Sequence, residues 1–192
     1  MGEIEISKRT GDELVARGLG SCIGLALIDS TSGVAGMAHI VLPEANGPDP
    51  EPGKFADLAV PALIAGVQKA GAVMRRVDAV MVGGARMFEL GEMYIGARNA
   101  AAVKEALTRA GVRVKAADTG GNRGRTMRLT VGEFDVTVKE AGGEPKSLFN
   151  AGGRARPAPA GGAPATAGPA SATRPATATS AASRLGLSGA AR

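Results

Sequence analysis

The chain has 192 residues, 44 % hydrophobic and 21 % charged, which suffices for one domain with a buried core. Its one cysteine and one histidine exclude an internal disulfide and a structural zinc site built of Cys and His ligands. The net charge of +5 arises after residue 150, where five Arg (154, 156, 174, 184 and 192) stand without any acid. Residues 1–150 balance 18 bases with 18 acids, and with four Phe, one Tyr and no Trp neither charge nor aromatic platforms suit nucleic acid.

The opening Met-Gly-Glu-Ile-Glu-Ile carries acid where a secretory signal carries base. The longest nearly uncharged apolar stretch, Leu58 to Val67, is about half the roughly 20 residues a spanning helix needs. A cytoplasmic chain without membrane insertion is the expectation. Ile23–Ile28 and Val34–Leu42 are short apolar runs bounded by turn residues and read as strands. Phe55, Leu58, Ala59, Ala62, Leu63 and Val67 share one helical face. Pro61 either kinks that helix or sets its start near Asp57, because proline lacks the amide donor. Val77–Val82 reads as a strand. A second helix carries Val103, Ala106, Leu107 and Ala110, with Asn99 as its cap and Gly111 as its stop. Val112–Ala117, Thr126–Val131 and Phe134–Lys139 alternate with period two. Gly83-Gly84 and Gly120-Gly121 follow strands and read as turns with positive φ, or as lining of a cleft; neither has the spacing of a phosphate loop.

Together these predict an α+β domain over residues 1–150, its mixed or antiparallel sheets stacked as a sandwich with flanking helices. From Ala151 the chain is almost wholly Ala, Gly, Pro, Ser, Thr and Arg. Such a composition cannot bury enough surface to offset its ordering entropy, so residues 151–192 read as a disordered basic tail.

Cys22 precedes the first apolar run in Gly18-Leu19-Gly20-Ser21-Cys22, and His39 ends the next in Ala38-His39-Ile40. Asp29-Ser30-Thr31-Ser32-Gly33 between the runs has turn composition. A hairpin centred between Ser30 and Thr31 pairs Cys22 directly with His39 on one face, with Cβ atoms about 4.5–5.5 Å apart. A neighbouring imidazole accepts the thiol proton and returns it to a leaving amine, while glycine-flanked amides stabilise an oxyanion. That suits acyl transfer from an amide or ester. The plain alternative is a small buried thiol and a satisfied interior imidazole, and spacing alone does not separate hydrolase, transferase and redox thiol.

Six blocks in order, Gly18-Leu19-Gly20-Ser21-Cys22, Ala38-His39-Ile40-Val41-Leu42-Pro43, Gly53-Lys54-Phe55-Ala56-Asp57, Gly83-Gly84-Ala85-Arg86-Met87-Phe88, Ile95-Gly96-Ala97-Arg98-Asn99 and Asp118-Thr119-Gly120-Gly121-Asn122-Arg123, resemble the motifs of the bacterial chemoreceptor glutamine deamidases, the CheD family. The resemblance implies hydrolysis of Gln side chains to Glu on methyl-accepting chemotaxis receptors, with ammonia release and no metal or cofactor. It also implies a fold similar to that of toxin-type cysteine deamidases. Cys22 matches the family's nucleophile and His39 its base. The third member, a Thr, falls on Ala16, which has no hydroxyl; Thr10, Ser21 and Asn122 are its candidate substitutes. Gly20, Ser21 and Asn122 are the oxyanion or cleft candidates, and Arg123, Arg125 and Arg128 either meet an acidic receptor helix or form solvated surface. The alternative function is an adaptor for a CheC-type phosphatase, and the expected state is a monomer or a heterocomplex.

Overall fold

The computed structural model describes residues 1–46, 50–86 and 95–152. Two sheets and two helices form three layers. The first sheet comprises β1 (Ile4–Ser7), β3 (Ile23–Asp29), β4 (Val34–Ile40), β5 (Asp78–Gly83) and β6 (Arg113–Thr119), in the order β1-β4-β3-β5-β6. The second comprises β2 (Glu13–Leu19), β7 (Arg125–Thr130), β8 (Asp135–Glu140) and β9 (Lys146–Asn150), in the order β2-β7-β8-β9. Helices α1 (Ala56–Lys69) and α2 (Ile95–Arg109) cover one face of the first sheet and the second sheet covers the other. The α+β sandwich with helices on its flank is thus as expected. The segment read as a tail lies, from residue 153, outside the described residues.

Burial on both sides explains why β3 reads as an unbroken apolar run rather than an alternation. Ile23, Leu25 and Leu27 face the helices, whereas Ala26 and Ile28 face the second sheet. Helix α1 begins at Ala56, and Pro61 lies inside it on the exposed side, where water can satisfy the carbonyl that proline leaves without a donor. Gly111 ends α2 with φ +68° as expected, but Ala110 falls outside the helix and is exposed. Asn99 is not a cap. It lies within α2, fully buried.

The β3–β4 register corrects the expected pairing. Ile23 faces Ile40, Gly24 faces His39 and Asp29 faces Val34, so the hairpin centre lies between Thr31 and Ser32. The cause is local: Gly33 takes the left-handed conformation at φ +72°, and Asp29 stays in the strand while its Oδ1 accepts the Ser32 amide at 3.3 Å. Composition announces the turn but not which residue turns left-handed. His39 is therefore opposite Gly24 rather than Cys22. The two differ by an even step along the strand, so Cys22 and His39 still share a face.

Candidate active site

The site forms where β3 begins and β4, β5 and β6 end. Three successive carbonyls of the loop that carries the thiol are each held. Gly20 O accepts the Ala85 amide at 2.7 Å and Cys22 O accepts the Gly84 amide at 2.9 Å, while Ser21 O accepts Asn99 Nδ2 at 2.9 Å. Gly83 and Gly84 have φ +118° and +66°, and a Cβ on Gly83 would run into the Cys22 carbonyl. The turn role expected for this pair is borne out by these positive φ values, and the pair packs against the Cys22 loop. The Gly120-Gly121 turn joins the same cluster, since Gly120 N donates to Gly83 O at 2.9 Å and Arg86 N to Gly121 O at 2.8 Å.

His39 is anchored through its backbone. Its amide donates to Glu3 O at 3.0 Å and its carbonyl accepts the Gly2 amide at 2.9 Å, which stitches the N-terminal segment along the strand end. The imidazole points toward the second sheet, beside a cavity of about 20 Å³ lined by Glu3, Glu5, Val15, Ala16, Met37 and His39. That volume is room for one water. Ala16, the position where the family resemblance implies a hydroxyl, thus contributes a methyl beside the imidazole. Gly24, opposite His39, brings the two sheets together: a Cβ there would stand 2.8 Å from Leu19 Cδ1, 3.1 Å from Met127 Sδ and 3.4 Å from the Ala16 Cβ.

Cys22 and His39 are 8 % and 7 % exposed. The β3–β4 register ends at Ile23–Ile40; continued by one residue it sets Cys22 opposite Val41 and makes Cys22 and His39 diagonal neighbours on one face. His39 Nε2 is buried without a hydrogen-bond partner among the described residues. Burial raises the Cys22 thiol pKa, against smaller opposing contributions from the N-terminal ammonium and the residue's own amide. Burial also lowers the His39 pKa; the N-terminal ammonium reinforces this and Glu3 opposes it. Both groups are therefore biased toward their neutral forms at rest, so the structure does not support a preformed thiolate–imidazolium pair.

The remaining candidates scatter. The Gly20 amide is already donated to Gly18 O at 2.9 Å. Ser21 directly precedes Cys22, and Asn122 is exposed in the β6–β7 turn. Thr10 lies against Gly132 at the opposite end of the second sheet, which removes it as a partner for His39. Arg125 is buried; its Nη2 lies 3.0 Å from Asp118 Oδ1 and its Nη1 donates to Gly120 O at 2.7 Å. Arg128 pairs with Glu13 at 2.9 Å. Arg125 is an internal brace rather than a receptor contact, and only Arg123 of the three is exposed and unpaired among the described residues. Sequence reading missed Asn99 as a site residue, although it lay in one of the six blocks. A larger cavity of about 350 Å³, lined by Asp118, Glu140, Glu144 and Lys146 among others, includes neither Cys22 nor His39. Among the described residues, no group of carboxylates, Cys and His could hold a metal, and no helix is long and apolar enough to cross a membrane.

Comparison with known proteins agrees with the motif blocks. The family model described as "CheD chemotactic sensory transduction" matches residues 41–140. The chain is similar to the "Chemoreceptor glutamine deamidase CheD" of Thermotoga maritima, 41 % identical over 143 residues that cover 74 % of this chain and 90 % of that protein. It is 42 % identical over 149 residues to the "Probable chemoreceptor glutamine deamidase CheD" of Symbiobacterium thermophilum, covering 74 % and 90 % of the two chains. With its Clostridium novyi counterpart, identity is 43 % over 136 residues, covering 68 % and 84 %. The matched spans and identities show that this chain belongs to the CheD family.

Proposed function

We propose that this CheD-family chain deamidates glutamine side chains of methyl-accepting chemotaxis receptors, using Cys22 as nucleophile and His39 as base. The observation that carries the reading is the shared face: the chain's one thiol and one imidazole lie on the same side of the first sheet at one of its ends, the thiol on a loop whose Gly20, Ser21 and Cys22 carbonyls each accept a hydrogen bond. Neutral His39 is in the right form to take a proton. It removes the Cys22 proton as sulfur attacks the Gln carboxamide carbon, then delivers it to the departing nitrogen, and ammonia leaves. Water then attacks the thioester, His39 takes its proton, and Glu and the thiol are released. Because the Gly20 amide is given to Gly18 O, the amide of the attacking residue, Cys22, is the oxyanion donor of choice.

One water in the cavity beside Ala16 takes the place of a side-chain hydroxyl in orienting the imidazole. Ala16→Ser puts an oxygen into that space and is expected to raise kcat several-fold without moving KM. An unchanged or lower kcat in a folded variant contradicts this role. The likeness in fold to toxin-type cysteine deamidases, which the family resemblance implies, is supported by two stacked sheets with flanking helices.

The missing hydroxyl at Ala16 favours a second reading, an adaptor for a CheC-type phosphatase, with the chain either a monomer or part of a heterocomplex. A coupled ammonia assay with a purified receptor cytoplasmic fragment separates the two. Ammonia release that Cys22→Ala abolishes supports the enzyme. No release, together with stoichiometric capture of the phosphatase, supports the adaptor.

A further inference from the structure

Beyond Ile23–Ile40 the β3–β4 ladder stops. The next pair in register is Cys22 with Val41, but the Val41 amide is given to Lys54 O at 2.8 Å, so the strands part at the residues that flank the site. Asn99 fills this fork. Its Nδ2 donates to Ser21 O at 2.9 Å and to Val41 O at 2.8 Å. The two acceptors consume both amide hydrogens and fix which end of the side chain is nitrogen. Asn99 is 0 % exposed, and its Oδ1 is buried without a partner among the described residues.

Core packing alone would favour an apolar side chain here, because an unpartnered buried carbonyl is costly. The clasp accounts for an amide instead. One acceptor precedes the nucleophile and the other lies two residues after the base. The helix that bears Asn99 is itself set against the nucleophile loop's support, since a Cβ on Gly96 would stand 2.6 Å from Gly84 O.

We propose that Asn99 is a positioning residue: by tying the Ser21 carbonyl to the Val41 carbonyl, it sets the gap across which His39 serves Cys22. This rests on the Cys22–His39 reading above, and it predicts coupling between positions 99 and 39 rather than a contact with substrate. Asn99→Asp keeps the shape but turns both donors into an acceptor facing two carbonyls, while Asn99→Ser keeps one donor.

The test compares the full chain with N99D, N99S and H39A, alone and combined. Folding is checked by circular dichroism, deamidation is measured on a receptor cytoplasmic fragment, and Cys22 alkylation by iodoacetamide is followed against pH. In a folded N99D variant, kcat is expected to fall at least ten-fold with KM within three-fold. Adding H39A, which alters the alkylation profile of the parent, should change that of N99D less than two-fold. A folded variant with kcat within two-fold of the parent, or with the His39 effect on alkylation intact, overturns the proposal. So does loss of folding in both N99D and N99S, which makes the role purely structural. If the parent chain does not deamidate the fragment, the functional reading fails, and the alkylation coupling alone decides whether Asn99 positions the pair.

Discussion

The imidazole of His39 works in a setting that keeps it neutral. With its pKa held below the ordinary value by burial, the acid limb of kcat/KM is expected to fall below about pH 6.5. With the Cys22 thiol raised, the alkaline limit shifts upward as well. A pH–rate profile whose acid midpoint lies above 6.5 would contradict a buried, neutral base. His39→Ala is expected to lower kcat by about 10²–10⁴-fold, the usual range for losing a general base. At this scale the sequence was informative about the pair itself, because parity survives a shift of two residues along the strand and so keeps Cys22 and His39 on one face. It was silent about Asn99. Nothing in helical periodicity separates a buried amide that clasps two carbonyls from one that caps the helix, since both acceptors are remote in the chain.

Two elements build the seat of Cys22, the start of β3 and the glycine turn that follows β5. Gly83→Ala must place a Cβ against the Cys22 carbonyl at φ +118°. The variant is expected to lose about 1–3 kcal/mol of stability and at least ten-fold in deamidation, measured by urea denaturation and turnover. Parent-like values of both would show that the turn does not seat the loop. Strands β3 to β8 and both helices were legible from apolar runs, periodicity and turn residues. Strands β1, β2 and β9 were not. β1 and β9 are edge strands of four and five residues, too short for a periodic signal, and the β2 pairing is interrupted between Ala16 and Leu19, which breaks its alternation.

Across the whole molecule, two buried groups couple folding to pH. Asp29 at the far end of β3 accepts from Arg76 at 2.9 and 3.1 Å and from the Val73 amide at 2.8 Å. Although burial opposes it, this set of donors holds the carboxyl well below its usual range. Asp29 and His39 both have depressed pKa values in the folded chain, so the unfolded chain binds more protons and stability falls as pH drops. The His39 contribution is expected to decline below about pH 6.5 and the Asp29 contribution below about pH 4. Urea midpoints recorded against pH test both steps. Asp29→Asn is expected to remove the lower step and to cost about 2–4 kcal/mol at neutral pH; a parent-like acid profile in that variant would contradict the assignment. The layered arrangement was foreseeable because runs buried on both faces require two covers. The hairpin register was not, since it depends on which single residue turns left-handed.

The most direct test is the mass of a receptor cytoplasmic fragment after incubation with the chain in ordinary and in ¹⁸O-enriched water. Hydrolysis through a Cys22 thioester predicts a gain of about 1 Da at a glutamine in the first and about 3 Da in the second, with none in either when Cys22→Ala replaces the parent. An unmodified fragment, or a gain that persists in Cys22→Ala, would contradict it.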